Sequence, residues 1–370
     1  MKTRIILSLA LAICLTLSLF VLTGCNDQSS PSGGGGGTSA PGSGGGSPPP
    51  DNRTFHFNVS FPTPESSAVA MVQVLDRIQE ASNGRITMTY YYSWSLTSVA
   101  TIIDDFNSGI VDIGVHSFEN DTFFPYSNLI TNTPFLGMPG LLETARIYDE
   151  IFAEHPALAQ EFARNGLVFW TPHPIAEQQL YTNSDFAIRV PGDLNGRRFT
   201  TNLVMLQQFL ARNGAAGVSA PVTELASMVN TGVVDGVLQH PGVILSFGLE
   251  DFIEGATLFG NKGILSAMMS MSFSEHAWNS MPTDLQKLFV DEAETLREEQ
   301  GQLQIRMNYP VNDRLSASVP VQVLSDAEIQ VWVDDFSDII DAHVEDMIRR
   351  GHSEAREILD AVRTKIAERS

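Results

Sequence analysis

One short turn occurs twice in this chain. Phe106-Asn107-Ser108-Gly109-Ile110-Val111-Asp112-Ile113-Gly114 resembles Val229-Asn230-Thr231-Gly232-Val233-Val234-Asp235-Gly236-Val237. Each copy reads as a helix end closed by a glycine, where positive φ costs glycine nothing, followed by β-branched residues that open a buried strand. Each sits inside its own strand–helix–strand series. The repeat implies two α/β units of similar design facing each other. The alternative is a helix-to-strand turn that any α/β protein can reuse.

The flanking sequence fills in both units. Residues 55–61 alternate as a strand, 66–81 carry the apolar stripe Val69, Val72, Val74, Leu75 and Ile78, and Ser82-Asn83-Gly84 stops that helix. Residues 85–92 read as a strand, 97–107 as a helix and 110–115 as a third strand. The second series predicts strands at 166–170 and 198–201, a helix at 204–213, a strand at 216–219, a helix at 222–230 and a strand at 233–238. Strands alternating with helices give a mainly parallel sheet. A long helix is predicted from 283 to 306, and a strand lies around 320–324. Ser325-Asp326-Ala327-Glu328 is a capping box opening a helix to about 349, and 353–369 forms the last one.

The N-terminus sets the compartment. Lys2 and Arg4 precede an apolar run from Ile5 to Leu22, and Leu22-Thr23-Gly24-Cys25 follows. This is the layout of a secretory signal peptide over 1–24, with an uncleaved anchor as the alternative. Leu-x-Gly-Cys resembles the bacterial lipobox, which makes Cys25 the expected lipidation site and the lipid bilayer an expected partner. Cys14 and Cys25 are the chain's two cysteines. With one removed and one acylated, no thiol remains for a disulfide, a metal cage or a nucleophile. The Gly-, Ser- and Pro-rich stretch from Cys25 to residue 51 cannot bury enough apolar surface to offset chain entropy and is expected to be a tether. Its r.m.s. span would be roughly 28 Å.

Charge narrows the partners. Removing Lys2 and Arg4 from the 22 basic residues leaves 20 against 43 acidic ones, a balance near −23. That disfavours nucleic acid and anionic membrane surfaces.

From residue 55 onward the chain resembles the extracytoplasmic solute-binding proteins of TRAP transporters, the DctP type. The resemblance is carried by Asn83-Gly84-Arg85-Ile86, by both copies of the repeated turn and by Pro134-Phe135-Leu136. It continues through Pro191-Gly192-Asp193-Leu194-Asn195-Gly196-Arg197-Arg198 and Trp278-Asn279-Ser280-Met281-Pro282-Thr283-Asp284-Leu285-Gln286. It implies an α/β, two-lobe, periplasmic-binding-protein-like (class II) fold with a hinge and a long bridging helix. Lobe I would hold 52–177 plus about 266–305, and lobe II about 178–265 plus 306–370. The implied work is to capture a small organic solute, a carboxylate or related polar compound, outside the cytoplasmic membrane. The closed form would pass it to the small and large membrane subunits of an ion-gradient-driven permease. No catalytic residue, metal or cofactor is implied.

In such proteins an arginine in the strand after Asp-Leu-x-Gly pairs with the ligand carboxylate. Here that position is Thr200, and a second arginine position falls at Gln179. A slip of two residues would put Arg198 at the first. In this register the pocket is neutral where the family's is cationic. Ligands in open α/β sheets sit at the carboxyl ends of strands, which selects Phe61, Trp94, Phe118, Gln179, Thr200, Gln239 and His240 as candidate contacts. Gln179 and Gln239 each offer a donor and an acceptor, and Trp94 and Phe118 are candidate apolar walls. Trp94 also suits plain packing, and His240, followed by Pro241, a turn role. No Gly-x-Ser-x-Gly elbow, His-Glu-x-x-His or phosphate loop is present. A receptor-coupled ligand sensor and, less favoured, a secreted hydrolase are the rival readings.

Overall fold

The computed structural model describes residues 52–369. The expected signal peptide, the Cys25 lipidation site and the tether lie outside the described residues. The globular part opens with β1 (Phe55–Ser60), α1 (Glu65–Ala81), β2 (Ile86–Tyr91), α2 (Ile102–Asn107) and β3 (Ile113–Ser117). Three helices follow, α3 (Pro125–Thr131), α4 (Leu141–Glu154) and α5 (Pro156–Arg164), and then the long strand β4 (Leu167–Thr182). The second series is β5 (Arg198–Thr200), α6 (Val204–Arg212), β6 (Ala216–Val218), α7 (Leu225–Asn230) and β7 (Gly236–Gln239). Next come α8 (Pro241–Ser246), β8 (Gly255–Leu258), β9 (Leu265–Ser274), α9 (Glu275–Ser280) and α10 (Thr283–Ser316). The chain ends on β10 (Val321–Val323), α11 (Asp326–Arg349) and α12 (Ala355–Ala367).

The two series build matching half-sheets. In the first, β1 lies between β2 and β3, parallel to both; in the second, β5 lies between β6 and β7, again parallel to both. The antiparallel strands β9 and β4 join them, giving the order β2-β1-β3-β9-β4-β7-β5-β6. β4 belongs to both halves: Leu167 through Gln178 pair with β9, whereas Gln179 through Thr182 pair with β7. Register shifts between Phe169 and Thr171 and between Pro174 and Glu177 interrupt the first pairing. Such irregularities bend a strand, and the second falls just before the chain passes from one half to the other. This is the two-lobe architecture of class II periplasmic binding proteins.

The repeated turn has one hydrogen-bond pattern in both places. Ile110 and Val111 both donate their N–H to Asp105 O; Val233 and Val234 both donate to Met228 O. Gly109 and Gly232 hold φ of 75° and 67°. Asp112 Oδ2 accepts from the Asn58 N–H at 2.8 Å, and Asp235 Oδ2 accepts from the Arg198 N–H at 2.8 Å. Each aspartate thus ties the incoming strand to the middle strand of its own half. Arg198 is spent here as well: its guanidinium meets Asp235 and donates to Gly232 O at 2.9 Å. It therefore stands at the amino-terminal end of β5.

Several segments depart from the sequence reading. α10 runs ten residues beyond the expected end at 306 and through Pro310. Proline removes one intrahelical donor, but Gln304, Asn308, Val311 and Leu315 keep the same face buried to the end, so packing holds the helix together. The 97–107 helix is helical only from Ile102. α12 packs on α3 and α4 of the first half and also on α11. Its buried stripe Ala355, Ile358, Leu359, Val362 and Ile366 completes the same apolar core. Among the described residues no helix is long and apolar enough to cross a membrane.

Candidate functional site: the cleft between the half-sheets

The carboxyl ends of strands from both halves face one cavity of about 520 Å³. This lies within the range of small-molecule sites, roughly 300–1,000 Å³. The first half supplies the segments after β2 and β3 and the start of α2. The second supplies Asn202 after β5 and Ser219, Ala220 and Pro221 after β6.

Trp94 is placed by an unusual backbone. Ser93 and Trp94 both have positive φ, 53° and 59°, a region that non-glycine residues enter at about 1–3 kcal/mol each. Hydrogen bonds to the neighbouring loop hold them there: the Ser93 N–H donates to Thr63 O at 3.0 Å and the Trp94 N–H to Phe61 O at 3.2 Å. Trp94 lines the cleft while its ring packs against the core. The sequence posed wall and packing as alternatives, and the side chain does both.

After β3, Ser117, Glu119 and Asn120 line the cavity, with Phe123 and Phe124 beside them. Asn128 pins this segment, its Nδ2 donating to Phe118 O at 2.7 Å and to Glu119 O at 3.3 Å. Glu119 opens onto the cleft, and desolvation raises its carboxyl pKa. Across the cavity, Ser219 Oγ donates to Asn202 Oδ1 at 2.7 Å.

The other predicted contacts are dispersed. Phe118 is fully buried, its ring against His116, Phe124, Tyr148 and Phe162. Phe61 is fully buried against Tyr90 and Tyr92. Thr200 stands two residues before Asn202; it is buried and its hydroxyl has no hydrogen-bond partner. Gln239 is half-buried and faces Gln179 across the β4–β7 ladder. His240 precedes α8, its Nδ1 lies 3.4 Å from Asn308 Oδ1 of α10, and burial lowers its pKa to about 4.

Gln179 lines a second cavity, of about 340 Å³, with Glu177, Gly260 and Tyr309. Both ends of its amide are occupied. Nε2 donates to Gly260 O at 3.1 Å and Oε1 accepts the Phe259 N–H at 2.7 Å. Nearby, Tyr309 OH donates to the Glu177 carboxylate at 3.3 Å, and burial raises the Glu177 pKa. Gln179→Ala is expected to lose about 1–2 kcal/mol of stability in urea unfolding, because it leaves the buried Phe259 N–H without its acceptor. Unchanged unfolding with weakened solute binding would instead make Gln179 a ligand contact.

The sequence reading passed over residues 219–221 at the end of β6 and Asn120 and Phe123 after β3. The carboxyl-end rule that selected the other loops applies equally to β6, which was itself predicted. The start of α2 carried no such signal, because the helix was expected to begin earlier. Among the described residues no three His, Cys, Asp or Glu side chains converge as a metal-holding set.

The sequence profile of DctP, described as "Bacterial extracellular solute-binding protein, family 7", matches residues 59–346. No curated protein matches the chain. Among solved structures, a TRAP solute-binding protein from Rhodoferax ferrireducens in complex with copurified benzoate superposes with a TM-score of 0.75 at 20% identity. It covers 85% of this chain and 98% of that one. A TRAP periplasmic solute-binding protein from Chromohalobacter salexigens with bound D-glucuronate gives 0.73 at 18% identity, covering 84% and 99%. One from Bordetella bronchiseptica with bound (R)- and (S)-mandelate gives 0.72 at 19% identity, covering 85% and 100%. At these identities the likeness is one of fold.

Proposed function

The chain belongs to the bacterial extracellular solute-binding proteins of family 7, and from that premise we propose that it captures a small polar organic solute between its lobes for TRAP-type transport. The observation that carries this reading is the cleft itself. Its walls come from equivalent strand ends of two half-sheets, joined by two strands, β4 and β9, that can flex as a hinge. Closing the lobes would remove solvent from Trp94, Phe123 and Asn202 together. Binding energy, rather than bond-making, is then the protein's output, and the protein is not an enzyme.

Two further assignments rest on sequence. Cys25 would carry the lipid that holds the domain at the outer face of the cytoplasmic membrane or in the periplasm, and residues 26–51 would let it reach the permease. The lobe division follows the crossing of β4 near Gln178, with residues 306–325 and α11 in lobe II and α12 lying over lobe I.

A thermal-unfolding screen of metabolite pools tests the capture reading. A solute at a hundred times its Kd is expected to stabilise the protein by about 2.7 kcal/mol without being consumed. Turnover of any pool member, or no shift with any pool, would count against it.

A further inference from the structure

The cleft has a one-sided charge. Its polar lining is Ser117, Glu119, Asn120, Asn202 and Ser219, and Glu119 is the one ionisable group on it; no Lys, Arg or His reaches the cavity among the described residues. The Glu119 carboxylate has no ion-pair or hydrogen-bond partner there. Asn128 fixes the backbone of its segment, which keeps Glu119 at the cleft while its side chain is exposed. Apolar faces stand around it: Trp94, Ile103 and Phe123 on one wall, Ala220 and Pro221 on the other.

We propose that this cleft takes a solute with a cationic amine head on a flat apolar body, and that it disfavours carboxylates. The inference rests on the capture reading and narrows it. A carboxylate shut into this space would meet a like charge and no cation, and an uncompensated charge removed from water is strongly disfavoured. An ammonium there pairs with Glu119 and can lie over the Trp94 or Phe123 ring, a favourable arrangement for cations. The acidic chain adds a long-range field of the same sign. The solved relatives described above hold benzoate, D-glucuronate and mandelate; this chain departs from them at the charge of the head group.

Benzylamine, benzamide and benzoate share one ring and differ in head charge, so they isolate the question. With the intact protein at matched concentrations, titration calorimetry is expected to rank benzylamine first and benzoate last. Glu119→Gln should weaken benzylamine by about tenfold or more while leaving benzamide and the unliganded melting temperature unchanged. Benzoate outranking benzylamine, or an equal loss for all three in Glu119→Gln, overturns the proposal. If all three are silent, pooled alkyl amines and pooled carboxylates are run in the same assay. A response to the carboxylates alone sinks the charge inference and keeps the capture reading, whereas silence toward every pool sinks both.

Discussion

Trp332→Ala is expected to lose about 3–5 kcal/mol of stability, the usual range for deleting a buried tryptophan. Trp332 on α11 is 2% exposed. Its ring meets Phe135, Phe209 and Phe259 at 6.1, 5.8 and 5.0 Å between centroids, and Phe336 joins the same cluster. The indole N–H donates to Arg189 O at 2.9 Å. Truncation would therefore leave both a cavity among four phenylalanines and a carbonyl without its donor. Phe135 reaches this cluster from the segment between α3 and α4, so the cluster also ties the first half of the chain to lobe II. Half-buried Trp278, which meets Phe273 edge-on, serves as control: Trp278→Ala should lose clearly less. Equal losses in urea unfolding would mean that Trp332 is not the anchor of this core.

His116→Phe is expected to change the pH dependence of stability rather than its value near neutrality. The ring stacks on Phe124 at 4.9 Å and meets Phe106 and Phe118 edge-on. Nε2 lies 3.0 Å from Ser272 Oγ, while Nδ1 is buried without a partner. Desolvation lowers its pKa from 6.5 to about 4. The unfolded chain then takes up the proton first as pH falls. The histidine's neutral fit is fully available above pH 6.5 and is lost progressively toward pH 4, at about 1.4 kcal/mol per pH unit. Other titrating groups are common to both proteins and cancel in the difference. Between pH 7 and pH 4 the variant should therefore gain about 3 kcal/mol relative to wild type, and a difference independent of pH would contradict the assignment.

Much of the architecture was legible because it depends on local chemistry. The repeated Asn–Ser/Thr–Gly turn marked both helix-to-strand corners, and the capping box at Ser325 is formed by Ser325 and Glu328. What escaped was set by tertiary context. β9 reads Leu-Ser-Ala-Met-Met-Ser-Met-Ser-Phe-Ser, and its serines are buried by pairing with β3 and β4. No sequence signal says that a serine-rich strand will be the link between two lobes. α10 passed its expected end because its buried face, and not its proline, decides where it stops. The candidate site divided for a similar reason. Strand alternation turns Gln179 toward the loop after β8, and Phe118 lies one residue inside the loop that reaches the cleft, with Ser117 and Glu119 on either side. The absence of arginine was visible in the sequence; the lone carboxylate opposite the second half-sheet required the fold.

The central claim is that the two lobes retain a small solute unchanged. It is tested most directly by incubating the intact protein with a bacterial small-molecule extract, washing it, denaturing it and identifying what is released by mass spectrometry. The account predicts a single dominant solute, chemically identical to the compound in the extract and lost from a Trp94→Ala, Glu119→Ala double variant that still folds. Release of a product absent from the extract, or equal retention by the double variant, would contradict it.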